Sequence, residues 1–193
     1  MASEPATSSA GAGRAVSFLT VSTARELGVL LCLSVMFPFM VHIIPAPDDG
    51  RLGARLLPMF YAPLLSALLA RHRTAVGVAL LAPWLNWALT SHPPALGAVA
   101  MTMELLVFVL SMRAMLARAG ACWFLAAPAY VACVAAAALG AAAFPVLIGG
   151  RGSLEWAVQS VATGMPGIAI LLLINWLVLR HYPPVAGDGA RLA

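Results

Sequence analysis

Six apolar runs, with arginines clustered in most of the short stretches between them, constrain this chain more than any other feature. They lie at about 26–46, 55–70, 74–91, 95–113, 119–147 and 155–180. A hydrocarbon core of about 30 Å takes roughly 20 helical residues to cross, and lipid tolerates only backbone whose polar groups are satisfied internally. The pattern predicts an all-α integral membrane protein, a six-transmembrane-helix bundle. Charge content agrees, since 9% of the residues are charged and 62% are hydrophobic, whereas a soluble domain carries about 25% charged residues. The second run holds Pro58 and Pro63 and is expected to be irregular at its start.

The arginines orient the bundle. With the N-terminus inside, the inner side receives Arg14, Arg25, Arg71, Arg73, Arg113, Arg118, Arg180 and Arg191, and the outer side Arg51, Arg55 and Arg151. Cytoplasmic loops collect positive charge, so the expectation is N-in/C-in. The formal charge of +4 then reads as topology, with no call for a nucleic-acid partner. The chain has no lysine and so lacks the phosphate-gripping P-loop. Residues 1–15 and 183–193 read as polar tails on a membrane domain spanning 16–182. Cys32, Cys122 and Cys133 fall in apolar runs, and an odd count argues against a closed disulfide framework.

Polar groups inside apolar runs are costly and each needs a purpose. Glu104, in "MTMELLVF", sits about one-third to halfway along the fourth helix. Two roles fit it: a ligand contact or proton-coupled group, and a structural hydrogen bond. Trp84, Asn86 and Trp87 lie in the outer half of the third helix, "APWLNWALTSHPP". An amide between two indoles suits a flat, hydrogen-bonding ligand, while tryptophans near a boundary also form the interfacial belt. The outer loop after the first helix holds His42, Asp48, Asp49, Arg51, Arg55 and Tyr61. Its spacing matches no metal-binding pattern, and a solvated turn at "PDDG" accounts for it. Hydrolytic motifs are absent from the sequence, so the reading is not an enzyme.

Small residues mark close contacts. Ala24 and Gly28 form a small-x-x-x-small pair at the inner end of the first helix, and "CVAAAALGAAAF" fills the fifth. Such faces let helix backbones approach and associate in membranes. The sixth run, "VATGMPGIAILLLINWLVLR", is broken at its start by Gly164, Pro166 and Gly167, and then regular apart from Asn175.

Three stretches together resemble the substrate-binding S component of energy-coupling factor (ECF) transporters. Residues 56–94, "LLPMFYAPLLSALLARHRTAVGVALLAPWLNWALTSHPP", are similar to the second and third helices of that family. Residues 101–112, "MTMELLVFVLSM", resemble its Glu-bearing fourth helix, and "TGMPGIAILLLINWLV" its Gly-Pro-Gly sixth helix. The resemblance implies a bacterial inner-membrane subunit that binds a small water-soluble vitamin or precursor from outside. Import would need a transmembrane coupling subunit and cytoplasmic ATPases, with no cofactor in this chain. The substrate-binding residues it implies lie on outer halves of helices: Asn86, Trp84, Trp87, Glu104, Trp156, Gln159 and Thr163, with Tyr61 and Arg55 from the first loop region. It further implies that Gly164, Pro166 and Gly167 open the last helix where a ligand fits, and that Ala24 and Gly28 grip the coupling subunit. Gly28 stands where the family carries a second alanine, and Phe60, Tyr61 and Ala62 precede Pro63 where a histidine is frequent. Two other functions fit the same features: a structural subunit of a larger membrane complex, and a solitary gradient-driven carrier.

Overall fold

A computed structural model describes residues 21–43, 52–91, 93–144 and 152–182. Every regular element among them is helical. The tails at 1–15 and 183–193, Asp48, Asp49, Arg51, His92 and Arg151 lie outside the described residues, as does the side chain of His42.

The first apolar run is α1 (Val21–Ile43). The second is split into α2 (Leu52–Leu56), a 3₁₀ turn (Pro58–Phe60) and α3 (Tyr61–Leu69). The third is α4 (His72–Thr90) and the fourth α5 (Ala95–Ala119). The fifth is α6 (Ala126–Ala143), which begins seven residues later than the apolarity did, because residues 120–125 form the α5–α6 connection. The sixth is split into α7 (Ser153–Thr163) and α8 (Met165–His181).

Three of these helices, within α1, α5 and α6, are long and apolar enough to cross a membrane. They become four if α7 and α8, bent by 59° at Gly164, count as one broken span. That marks the chain as a membrane protein. The six expected runs do not all reach that standard for physical reasons. The second is interrupted at Leu57 and leaves only the short apolar helix Pro58–Leu69, and α4 carries His72, Arg73 and Asn86.

Short α3 sits at the centre, touching α1, α4, α5 and α8. Its side chains Leu64, Ala67 and Leu68 have no exposed surface, and α5 meets them with Leu105, Phe108, Val109 and Met112, equally buried. Those α5 positions recur every three to four residues, one helical face turned to the core.

Helix ends sort by charge. Leu27 of α1 lies beside Gly77 of α4, and Ser34 beside Asn86, so α1 and α4 run parallel and start at one end. The Arg113 guanidinium donates from Nη1 to Ala67 O (3.1 Å) and Ala70 O (3.0 Å), closing the C-terminus of α3 at that end. Asn175 of α8 donates to the α5–α6 connection, which places the last turn of α8 there as well. Among the described residues, Arg25, Arg71, Arg73, Arg113, Arg118 and Arg180 thus gather at one end, and Arg55 stands apart from them.

Candidate functional site

The two interruptions of the chain meet. Leu57, between α2 and the 3₁₀ turn, adopts a left-handed backbone (φ 54°, ψ 42°), a conformation that costs a non-glycine residue about 1–2 kcal/mol. The left-handed residue turns the chain so that Arg55, Leu56 and Leu57 lie on the first turn of α8. A side-chain carbon at Gly167 would stand 2.6 Å from Leu57 Cγ, 2.7 Å from the Leu56 carbonyl carbon and 2.8 Å from Arg55 O. At Gly164 it would stand 3.0 Å from both the Tyr130 hydroxyl and Ser160 O. Glycine is therefore required by close approach at Gly167, where two of the three neighbours are backbone. Pro166 fits because a missing N–H costs nothing in a first helical turn.

Aromatic side chains surround this junction. Phe60 makes edge-to-face contacts with Phe108 and with Tyr130, both at 5.2 Å between ring centroids. Tyr61 packs edge-on against Phe37 at 5.4 Å, and its hydroxyl donates to Leu56 O. The Tyr130 hydroxyl reaches Ser160 O of α7 at 3.5 Å. Trp156 of α7 packs against the same core, half-buried.

Glu104 lies one turn before Phe108 on α5, on the helix packed against α6 and within electrostatic range of Tyr130 and Cys133. Its side chain is partly exposed. Among the described residues, no hydrogen bond or ion pair involves it. A carboxylate at this depth in an apolar helix is costly without a partner, so the arrangement leaves it open to a proton or to a ligand's donor.

The structure therefore brings Tyr61, Glu104 and Trp156 into the shell of one core, with Arg55 exposed beside Gly167 and Thr163 half-buried at the end of α7. Gln159, on the same helix as Trp156, is exposed. Trp84, Asn86 and Trp87 are elsewhere, on α4 against α1. Asn86 does not stand between stacked indoles in a pocket: it is buried, and its Nδ2 donates to Ser34 O (3.1 Å) and Ala82 O (2.9 Å). Ser34 is four residues before Pro38, which has no N–H to give; Asn86 supplies the donor that α1 lacks. Trp84 and Trp87 touch edge-to-face at 6.1 Å on the outside of the bundle, each about 40% exposed. Ala24 and Gly28 are exposed on α1, with nothing within 4 Å of a side-chain carbon built at Gly28.

Three polar residues that the sequence did not single out for these roles hold the architecture. Tyr130 joins α6 to α7, and its hydroxyl was the one polar side chain in an alanine-rich run. Arg113 read as topology yet closes α3. Asn175 is fully buried and donates to Cys122 O (3.3 Å) and Trp123 O (2.7 Å). Among the described residues, no group of three His, Cys, Asp or Glu side chains comes together to hold a metal ion.

No family model, no curated protein and no solved structure matches the chain.

Proposed function

We propose that this chain is the substrate-specific subunit of an uptake system in the bacterial inner membrane. In this reading it binds a small water-soluble micronutrient, a vitamin or a precursor, from outside and releases it inward. A separate transmembrane coupling subunit and cytoplasmic ATPases would drive import, as in the ECF transporters its sequence resembles. The observation that carries the reading is the junction itself: two interrupted apolar segments meet at Tyr130, which lies within electrostatic range of Glu104, a carboxylate with no hydrogen bond or ion pair among the described residues. Membrane transporters place substrate sites where helices are discontinuous and polar groups enter the bundle. Tyr61, Trp156 and Tyr130 supply aromatic faces and hydroxyls around it, and Arg55 a cation at its rim. The open Ala24/Gly28 face of α1 suits a coupling subunit, because small residues let a partner helix approach closely. With the basic end taken as cytoplasmic, the orientation is N-in/C-in.

Mass spectrometry of small molecules that co-purify with the detergent-solubilised chain tests this. A stoichiometric compound retained by the wild type and lost in Glu104→Ala supports it. An empty wild-type preparation that instead carries other membrane proteins supports the second reading, an assembly subunit. Two observations favour that second reading: the notch at Gly164 and Gly167 is filled by the chain's own Leu57, and the Asn86 Nδ2 donates to Ser34 O.

A further inference from the structure

The second face of α8 carries a feature unrelated to the Glu104 junction. Trp123, Leu172, Leu173 and Trp176 line an open groove of about 360 Å³. One of its walls is tied to another. Trp123 belongs to the α5–α6 connection, which has no helix of its own to hold it, and buried Asn175 ties that connection to α8 by its two bonds to Cys122 O and Trp123 O. The Asn175 Oδ1 is buried with no partner, so the amide's position is set by those donated bonds.

Charge lies at one end of the groove. The Arg180 guanidinium stands over the Trp176 ring at 5.1 Å from its centroid, one turn nearer the basic end. Arg118 is in the last turn of α5, shortly before the connection that carries Trp123, and His181 follows Arg180. Between Leu105 and Tyr182 the sequence contains a single acidic residue, Glu155, and it lies in the first turn of α7, not at this end. An apolar trough with aromatic walls, capped at one end by arginines that form no ion pair among the described residues, is complementary to an amphiphile with a negative head.

We propose that this groove seats an acyl chain of an anionic phospholipid, whose phosphate meets Arg180 and Arg118. Indole rings at the edge of a membrane and arginine beside them match the headgroup level, and basic residues at the cytoplasmic leaflet attract anionic lipid. A partner helix is the poorer occupant. Close helix association in membranes uses small side chains that let backbones approach; two projecting indoles and two leucines prevent that here, whereas the Ala24/Gly28 face of α1 permits it. Trp123 (56%), Leu173 (53%) and Trp176 (41%) are open to the bundle's surroundings, so a lipid chain can reach them.

The test titrates the purified full-length chain in detergent with dioleoyl phosphatidylglycerol, and separately with dioleoyl phosphatidylcholine, and counts retained lipids by native mass spectrometry. One phosphatidylglycerol should be retained in preference to phosphatidylcholine. Arg180→Gln should weaken it by about fivefold, the factor expected for one basic side chain near an anionic surface. Trp123→Ala should weaken both lipids by removing a wall. Both residues are exposed, so the variants keep the fold, and Trp84→Ala on the opposite interface serves as the unchanged control. Equal retention of the two lipids overturns the proposal, as does phosphatidylglycerol binding that neither Arg180→Gln nor Trp123→Ala alters.

Discussion

Replacing Gly167 by alanine tests whether the two interruptions of the chain are one structural unit. The added carbon would lie 2.6 Å from Leu57 Cγ, 2.7 Å from the Leu56 carbonyl carbon and 2.8 Å from Arg55 O. Leu57 could rotate, but the other two atoms are backbone, held by the left-handed turn at Leu57 and by the Tyr61 hydroxyl on Leu56 O. Overpacking costs about 1–3 kcal/mol, and contacts with backbone put this site at the upper end of that range. Against it, alanine gains at most about 1 kcal/mol over glycine in a helix, and less here because Gly167 lies in the first turn of α8. The expected net loss is about 2 kcal/mol, a fall of about 4–8 °C in Tm for a domain of this size. Gly140→Ala in α6 is the matched control, since nothing lies within 4 Å of its added carbon, and it should hold or gain stability. The assay is the fraction of monodisperse protein in size-exclusion chromatography after heating at one fixed rate, because thermal loss of membrane proteins is rate-dependent. Adding Leu57→Ala to Gly167→Ala should restore only part of the loss, as the backbone contacts remain. A Gly167→Ala protein as stable as Gly140→Ala would refute the seating of residues 55–57 on α8.

Other residues give equally direct expectations. Asn86→Ala should cost about 1–3 kcal/mol by stranding Ser34 O, and Pro38→Ala should reduce that cost by returning an N–H to α1, a coupling that a double-mutant heat-stability cycle reads. Trp84→Ala should change stability little, as exposed positions do, within about 0.5 kcal/mol. Arg113→Met keeps the apolar stem but removes the donors to Ala67 O and Ala70 O, and should cost about 2–3 kcal/mol in the same assay, the range for charge-assisted bonds. A C-terminal fluorescent-protein fusion should be bright in bacterial cells and an alkaline phosphatase fusion inactive, which checks the C-in orientation.

What the sequence displayed was the position of each break and little about its cause. Pro58, Gly164, Pro166 and Gly167 announce irregular backbone, and the 3₁₀ turn and the 59° bend sit there. Apolarity located all six runs, yet it overran α6 by seven residues at its start, since Cys122, Trp123, Phe124 and Leu125 are as apolar as the helix they precede. Their backbone is satisfied partly by Asn175, some fifty residues away in the chain, and no local pattern carries that information. Asn86 is a second case. Its neighbours Trp84 and Trp87 suggested a ligand, while its actual partner is a carbonyl on α1 whose need arises from Pro38. Single polar residues in apolar helices are legible as exceptions; their partners are set by helix packing.

That packing gives the interruptions a common logic. A chain that bends at Gly164 exposes backbone within an apolar environment, where unsatisfied groups are expensive. Ser160 O lies at this bend, and the Gly164 N–H and the Tyr130 hydroxyl both lie within reach of it. Leu57, forced left-handed, fills the space that the two glycines leave. Each break is thus tolerable because the other is present: without the notch at Gly167 the Arg55–Leu57 strand of backbone has nowhere to lie, and without Leu57 the notch would be a void beside a bent helix. Glu104 then stands out by contrast. Arg113, Asn86 and Asn175 each spend donors on carbonyls of other elements, whereas Glu104 makes no hydrogen bond or ion pair among the described residues. Polar groups that enter a membrane bundle are retained for structure or for function, and Asn86, Asn175 and Arg113 serve the first. Glu104, to which the described residues offer no hydrogen bond, is open to the second, through a proton or a ligand's donor.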